Sequence, residues 1–207
     1  MEYEERKGKI IQVSKNLFLT KGYSKTTVND IIQEMNIAKG TFYYYFKSKE
    51  DVLSSVVEIQ VNEMLSKTDE IRDQENRSLQ EQIIDIFMAQ SQNNNVEKQM
   101  LHDMHKQENL LMLQKYSERM IQALTPILSD IIEEGNRRGL FHADYPHEYM
   151  EILLVSASIL TDDSWNGNEQ PRKINIIVAL FKVLELMLGL DHGGLQKEQE
   201  YAMKGWR

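Results

Sequence analysis

The chain has 207 residues, a formal net charge of −8, three prolines and no cysteine. This length can bury a substantial core as one or two domains, and the missing cysteine excludes disulfides, thiol chemistry and thiolate metal ligands. The sequence contains neither a secretory signal nor an apolar run of the roughly 18 residues that a membrane span needs, which predicts a cytoplasmic protein without a membrane partner. Abundant Glu, Lys, Gln, Leu, Ile and Met predict an all-α fold.

Charge is distributed unevenly along the chain. Residues 1–50 contain nine Lys and Arg against six Asp and Glu, a net of +3, and the remaining residues carry −11. Affinity for nucleic acid depends on the local patch rather than on the total charge. The basic N-terminal part is therefore compatible with binding to DNA.

The first predicted helix covers about residues 4–20. Its apolar stripe consists of Ile10, Val13, Leu17 and Phe18, and Lys21-Gly22 ends it. Several basic side chains lie on or beside its exposed part: Arg6, Lys7, Lys9 and Lys15. A solvated face explains them most simply, and contact of one or two with phosphate is the functional alternative.

Residues 28–46 predict two short helices joined by a tight turn. Val28, Ile31 and Met35 belong to one apolar stripe, Thr27 caps the first helix, and Asp30 is its capping partner. Asn36 stands where the chain turns, and Asn tolerates the left-handed conformation. Phe42 and Phe46 of the second helix face the core. Its other faces carry Lys39, Gly40, Thr41, Tyr43, Tyr44 and Tyr45, a set that suits the major groove of DNA.

The stretch KGYSKTTVNDIIQEMNIAKGTFYYYFKSKEDVL, residues 21–53, resembles the DNA-binding motif of the TetR family of bacterial repressors. The resemblance covers about a quarter of the chain. It departs from the family pattern at Asn36, where the family usually has Gly. It implies a three-helix helix-turn-helix domain at residues 1–47 and a larger helical ligand-binding and dimerisation domain at residues 48–207.

Roles of individual residues follow from the same resemblance. Thr27 and Lys49 are expected to hold phosphates at helix N-termini, and Tyr44 and Tyr45 to contact phosphate or sugar. The residues expected nearest the base edges of double-stranded operator DNA are Lys39, Gly40, Thr41 and Tyr43. A glycine within a helix costs about 1 kcal/mol, and a close approach of DNA to the backbone would explain Gly40.

Further helices are predicted for residues 48–67, 78–90 and 96–113, with polar residues 68–77 as a loop and residues 91–95 as a turn. The helical period continues to Ile132. Pro126 either kinks this long helix or occupies the first turn of a new one. Two more helices are predicted at about residues 146–160 and 171–190, and a polar tail follows from Asp191.

Eleven methionines are spread through the chain, many of them in the middle helices. Core filling is the simpler explanation, and a plastic, mainly apolar pocket for an unknown small-molecule ligand is the functional one. The residues assigned to that pocket are Met88, Met104, Tyr116, Met120 and Trp165.

The last predicted helix is apolar nearly all round, which requires cover on more than one side. A second copy of the chain is expected to supply it, through a four-helix bundle about a two-fold axis. The residues predicted to form the homodimer interface are Leu153, Ala157, Ile177, Phe181, Leu184 and Leu188.

Other functions have weaker support in the sequence. His102 and His105 have a spacing that suits a metal, but a solvated face is the simpler interpretation, and no metal or cofactor is predicted. No catalytic residue is predicted, because no Ser-His-Asp pattern, phosphate-binding glycine loop or isolated carboxylate pair occurs. A small helical enzyme or ligand-binding protein with an incidental hairpin is the alternative function, and a regulator acting as an activator or without ligand is another.

Overall fold

The computed structural model describes residues 2–74, 76–89, 107–160, 170–197 and 199–200. In these residues there is no strand, which confirms the all-α fold. The helices are α1 (Glu2–Lys21), α2 (Val28–Glu34), α3 (Lys39–Tyr45), α4 (Lys49–Arg72), α5 (Leu79–Ala89), α6 (Leu110–Arg137), α7 (Pro146–Leu160) and α8 (Gln170–Met187), and a short 3-10 turn, Gln107–Asn109, precedes α6.

The chain divides into two compact units. The first comprises Met1–Glu63 and Asn93–Arg119, and the second comprises Met64–Gln92 and Met120–Arg207. The predicted domain boundary after residue 47 stays a prediction. Helices α4 and α6 each contribute residues to both units.

The core of the first unit is formed by α1 to α4 and the start of α6. Its fully buried side chains include Ile10, Phe18, Ile31, Phe42, Phe46, Leu53, Val56 and Met112. On α1 the buried side follows Ile10, Ser14 and Phe18, whereas Val13 and Leu17, predicted as buried, are only half-buried. The inward stripe is therefore rotated slightly from the predicted one.

The second unit packs α5, the later part of α6, α7 and α8. Pro126 lies inside α6, which is a single helix, so the alternative of a new helix starting there is wrong. The Thr125 hydroxyl donates to the Ile121 carbonyl at 2.8 Å in the same turn. Gly135 lies against the buried ring of Phe141, and a Cβ at Gly135 would overlap that ring.

The predicted loop at residues 68–77 is partly wrong. Helix α4 continues to Arg72 because Thr68 is fully buried and its hydroxyl donates to the Met64 carbonyl at 3.1 Å. Ser78 then caps α5: its hydroxyl accepts the Glu81 N–H at 3.1 Å, and the Glu81 carboxylate accepts the Ser78 N–H at 2.8 Å. This reciprocal capping box fixes the start of α5.

The polar tail folds back on α8 at least as far as Leu195, which is buried. The Leu195 N–H donates to the Glu185 carboxylate at 3.0 Å, and Lys182 donates to the same carboxylate at 2.9 Å. None of the helices in the described ranges is long and apolar enough to span a membrane.

Candidate DNA-binding surface

Helix α2 begins with the predicted capping box. The Thr27 hydroxyl accepts the Asp30 N–H at 3.1 Å, and the Asp30 carboxylate accepts the Thr27 N–H at 2.7 Å. Lys21 adds an ion pair to the same carboxylate at 2.7 Å. The hydrogen bond from Lys21, followed by those from Thr27, lowers the pKa of Asp30 to about 2. The box therefore stays ionised at neutral pH and fixes the start of the motif.

The turn between α2 and α3 has the predicted geometry. Asn36 has a φ of +49°, the left-handed conformation in which the family's usual glycine carries no steric penalty. The Ile37 N–H donates to the Ile32 carbonyl at 3.1 Å and closes the end of α2. Asn36 thus sets the angle at which α3 leaves α2.

Helix α3 has one buried and one exposed side. Phe42 and Phe46 are buried, as predicted, with ring centroids 6.0 Å apart. Tyr43 is 47% exposed and Tyr44 is 70% exposed, while Tyr45 is half-buried. Large aromatic side chains this exposed are costly unless another surface covers them, so the outer side of α3 is a candidate contact surface.

The start of α3 carries the cation and the glycine assigned to the base edges. The Lys39 ammonium lies 6.0 Å from the centroid of the Tyr43 ring. Gly40 is exposed and is the second residue of α3. Its cost to helix stability is therefore smaller than the cost expected for a glycine in the middle of a helix. A Cβ there would meet nothing within 4 Å, so packing inside the chain does not require glycine. Thr41 is half-buried beside them.

Lys49 occupies a different environment from the one its predicted role implies. Its ammonium donates to the backbone carbonyls of Tyr23 and Thr26, at 2.7 Å each, and lies 4.2 Å from the Tyr23 ring centroid. Burial lowers the pKa of the Lys49 ammonium. In the free chain Lys49 holds the turn between α1 and α2, and its contact with phosphate stays a prediction.

The structure adds two residues to the surface that the sequence analysis did not assign. Tyr3 of α1 lies against Tyr44 and Tyr45, with ring centroids 5.8 and 4.8 Å apart. Lys47 is exposed directly after α3. Within the described part of the chain, no carboxylate forms an ion pair with Lys39 or Lys47. Unpaired cations therefore lie at both ends of α3, available to phosphates on either side of a groove.

Three of the five residues assigned to a ligand pocket lie in the described part of the chain. Met88 is buried in α5, and Tyr116 and Met120 are half-buried in α6. Met104 and Trp165 lie outside the described residues, as do His102 and His105. The pocket and the metal question stay predictions.

The residues assigned to the dimer interface lie mostly inside the protomer. All but Ala157 are buried within one chain, since Leu153, Ile177, Phe181, Leu184 and Leu188 are at most 8% exposed. Side chains this buried offer little surface to a partner, and their place in the dimer interface stays a prediction. Helices α7 and α8, which pack on each other, instead expose an apolar strip consisting of Ile152, Val155, Ile159, Val183 and Leu186.

The all-α architecture, the two short helices set by Asn36 and the exposed tyrosines of α3 place the N-terminal part of the chain in the helix-turn-helix class. Comparison with known proteins narrows this class. Residues 10–56 match the family model of bacterial regulatory proteins of the tetR family, and residues 91–182 match a tetracyclin repressor-like C-terminal domain.

Relatives and solved structures agree with these matches. The HTH-type transcriptional regulator YerO of Bacillus subtilis is 41% identical over 69 residues, which cover 33% of this chain and 24% of that protein. The fatty acid metabolism regulator protein of Bacillus subtilis is 24% identical over 188 residues, covering 88% of this chain and 94% of that one. A crystal structure of a gamma-butyrolactone receptor superposes with a TM-score of 0.64 at 16% identity, covering 100% of this chain and 98% of that one.

The chain belongs to the TetR family of bacterial regulatory proteins.

Proposed function

We propose that the protein is a repressor that binds double-stranded operator DNA as a homodimer and is released by a small, mainly apolar ligand. The observation that carries the proposal is the outer side of α3, where Tyr43 and Tyr44 are exposed while Phe42 and Phe46 hold the helix in the core. The proposed role is regulatory rather than enzymatic, and the proposed location is the cytoplasm, where bacterial operators lie.

The proposed DNA contacts place α3 in the major groove. Lys39, Gly40, Thr41 and Tyr43 would face base edges, with Tyr44, Tyr45 and Thr27 on the backbone. Lys39→Ala and Tyr43→Ala should each weaken operator binding by roughly 1–3 kcal/mol without loss of helix, because neither side chain enters the core. Mobility shift and circular dichroism of both variants test this. Parent-like affinity in both would remove α3 from the groove.

The proposed dimer pairs the apolar strip of one protomer with that of its partner. Ile152, Val155 and Ile159 are spaced three and four residues apart, so they form one stripe along α7. Val183 and Leu186 continue the exposed apolar surface on α8. Two chains joined this way would present two copies of α3 to successive major grooves.

The proposed ligand is a small organic molecule with a substantial apolar part. Support comes from the methionines of the middle helices and from two relatives, a regulator of fatty acid metabolism and a receptor for gamma-butyrolactone. Fatty acids and acyl lactones of increasing chain length are therefore the panel to screen by thermal shift. A hit is then titrated with and without operator, because linkage requires operator to weaken the ligand by the factor by which the ligand weakens operator.

Contacts within the first unit suggest how the segment just before α6 acts on the DNA-binding motif. The Asn109 side-chain carbonyl accepts the buried Tyr23 N–H at 2.6 Å, and the Glu108 backbone carbonyl accepts the Ser24 N–H at 3.0 Å. Glu108 also pairs with Lys25 at 2.7 Å. Because α6 starts directly after Asn109, displacement of α6 would pull on the turn that leads into α2.

Asn109→Ala tests this route. The variant keeps the α6 sequence but removes the acceptor, so the factor by which a ligand weakens operator binding should shrink while ligand affinity without DNA stays close to the parent's. An unchanged factor would show that this contact does not carry the coupling.

A further inference from the structure

Three tyrosine rings from two different helices touch one another at the edge of the candidate DNA surface. Tyr3 comes from the first turn of α1, and Tyr44 and Tyr45 come from the last turn of α3. The ring centroids are 5.8 Å apart for Tyr3 and Tyr44, 4.8 Å for Tyr3 and Tyr45, and 5.0 Å for Tyr44 and Tyr45. These residues are called the tyrosine cluster below.

The cluster has the geometry of favourable aromatic contacts. The Tyr3 and Tyr44 rings are inclined at 81° and the Tyr44 and Tyr45 rings at 88°, both edge-to-face arrangements. Such pairs gain energy beyond the area they bury, because the positive ring edge meets the negative ring face. Tyr3 is thus the one residue outside α3 that these ring contacts tie to both Tyr44 and Tyr45 within the described residues.

Exposure explains why this contact matters. Tyr44 is 70% exposed even with the rings of Tyr3 and Tyr45 beside it, so these two ring contacts are the main restraint on its rotamer within the described residues. A side chain that must be immobilised on binding costs affinity, and holding it beforehand removes part of that cost. Tyr45 is half-buried, and its ring centroid lies closer to that of Tyr3, at 4.8 Å, than the ring centroid of Tyr44 does, at 5.8 Å.

We propose that Tyr3 is a positioning residue of the DNA interface, which holds the rings of Tyr44 and Tyr45 in the orientation they take on the sugar-phosphate backbone. The N-terminal turn of α1 thereby becomes part of the recognition surface, although it lies outside the helix-turn-helix motif. The inference rests on the proposed function, since it assumes that Tyr44 and Tyr45 meet DNA.

The proposal makes the Tyr3 ring, rather than its hydroxyl, the active part. Tyr3→Phe should therefore bind operator like the parent, whereas Tyr3→Ala should weaken binding roughly 3- to 10-fold, the range expected for losing such ring contacts and their pre-organisation. The salt dependence of binding should not change in Tyr3→Ala, because no cation is removed from the interface.

A double-mutant cycle separates positioning from a general structural role. In a chain that already carries Tyr44→Ala and Tyr45→Ala, adding Tyr3→Ala should have no further effect on operator affinity. A purely structural residue would weaken binding equally in both backgrounds. Tyr145→Ala is the matched control, because Tyr145 is 61% exposed and pairs with Tyr149 at 5.9 Å in the second unit.

The probe is a DNA duplex enriched by the parent chain from a random-sequence library, with affinities measured by fluorescence anisotropy at several salt concentrations. Failure of the parent to enrich any duplex would overturn the proposed function and this inference together. If the parent binds, parent-like affinity of Tyr3→Ala overturns the inference alone. Equal losses in Tyr3→Phe and Tyr3→Ala, or an equal Tyr3→Ala loss in both backgrounds, would also overturn it.

Discussion

The proposed dimer interface, the apolar strip on α7 and α8, predicts that one charged substitution in the strip should separate the two protomers. Among the described residues, Leu186 is the most exposed large apolar side chain, at 79% of its surface. In an isolated protomer Leu186→Glu therefore exchanges one solvated side chain for another and should leave folding nearly unchanged.

The effect on the dimer can be estimated from burial. Covering a leucine side chain contributes about 1.5–3 kcal/mol, and a two-fold interface contains each residue twice. Leu186→Glu should thus weaken the dimer by roughly 3–6 kcal/mol, or about 10²- to 10⁴-fold in dissociation constant, before the cost of burying a carboxylate is added.

The assay is sedimentation velocity over a range of concentrations, with melting temperature measured in parallel. Leu110→Glu is the control, because Leu110 is a 55% exposed leucine that lies in α6 rather than in the strip. Phe181→Glu provides the contrast, since Phe181 is 8% exposed and a charge there should unfold the protomer. A Leu186→Glu chain that dimerises as tightly as the parent would refute the proposed interface.

Three further changes test the first unit. Asn36→Val should lower the free energy of unfolding by about 1–2 kcal/mol in a denaturant titration, because a β-branched residue is strained at a φ of +49°, whereas Asn36→Gly should not. The pKa of Asp30 is about 2 in the folded chain against an ordinary value of 3.8. The ionised carboxylate therefore stabilises the fold fully at pH values above 3.8, and this stabilisation is lost as the pH falls through 2. Asp30→Asn should accordingly make the melting temperature less dependent on pH in this acid range, as measured by thermal melts. Lys49→Met should cost about 1–3 kcal/mol of stability by removing the donor to the Tyr23 and Thr26 carbonyls, and a parent-like unfolding midpoint would contradict this.

Local chemistry made the helix-turn-helix motif predictable from the sequence. The capping of α2 by Thr27 and Asp30, the turn at Asn36 and the inward Phe42 and Phe46 depend on neighbours within a few residues. The end of α4 was missed because Thr68 appears polar in sequence, although its hydroxyl bonds its own helix and allows burial.

The exposed strip on α7 and α8 was not predicted, because periodicity does not choose a face on a helix that is apolar nearly all round. Packing of α8 on α7 decides it: Phe181 and Leu184 turn inward, and Val183 and Leu186 stay outside. The Tyr3 contact was missed for a related reason, since about 40 residues separate Tyr3 from Tyr44 in the chain. Contacts between distant segments leave no spacing pattern to find.

Only some of the nine Lys and Arg side chains in residues 1–50 are available to contact DNA phosphates, because the others already have partners within the chain. Lys9, Lys21 and Lys25 are paired with carboxylates at 2.7 Å, and in the free chain Lys49 is bound to backbone carbonyls. Of the nine cations in residues 1–50, five therefore remain: Arg6, Lys7, Lys15, Lys39 and Lys47. Each phosphate contact adds about 0.9 to the slope of log affinity against log salt, so the slope per protomer should stay below about 4.5. A steeper slope would mean that DNA breaks these ion pairs, or draws Lys49 from the turn that it holds.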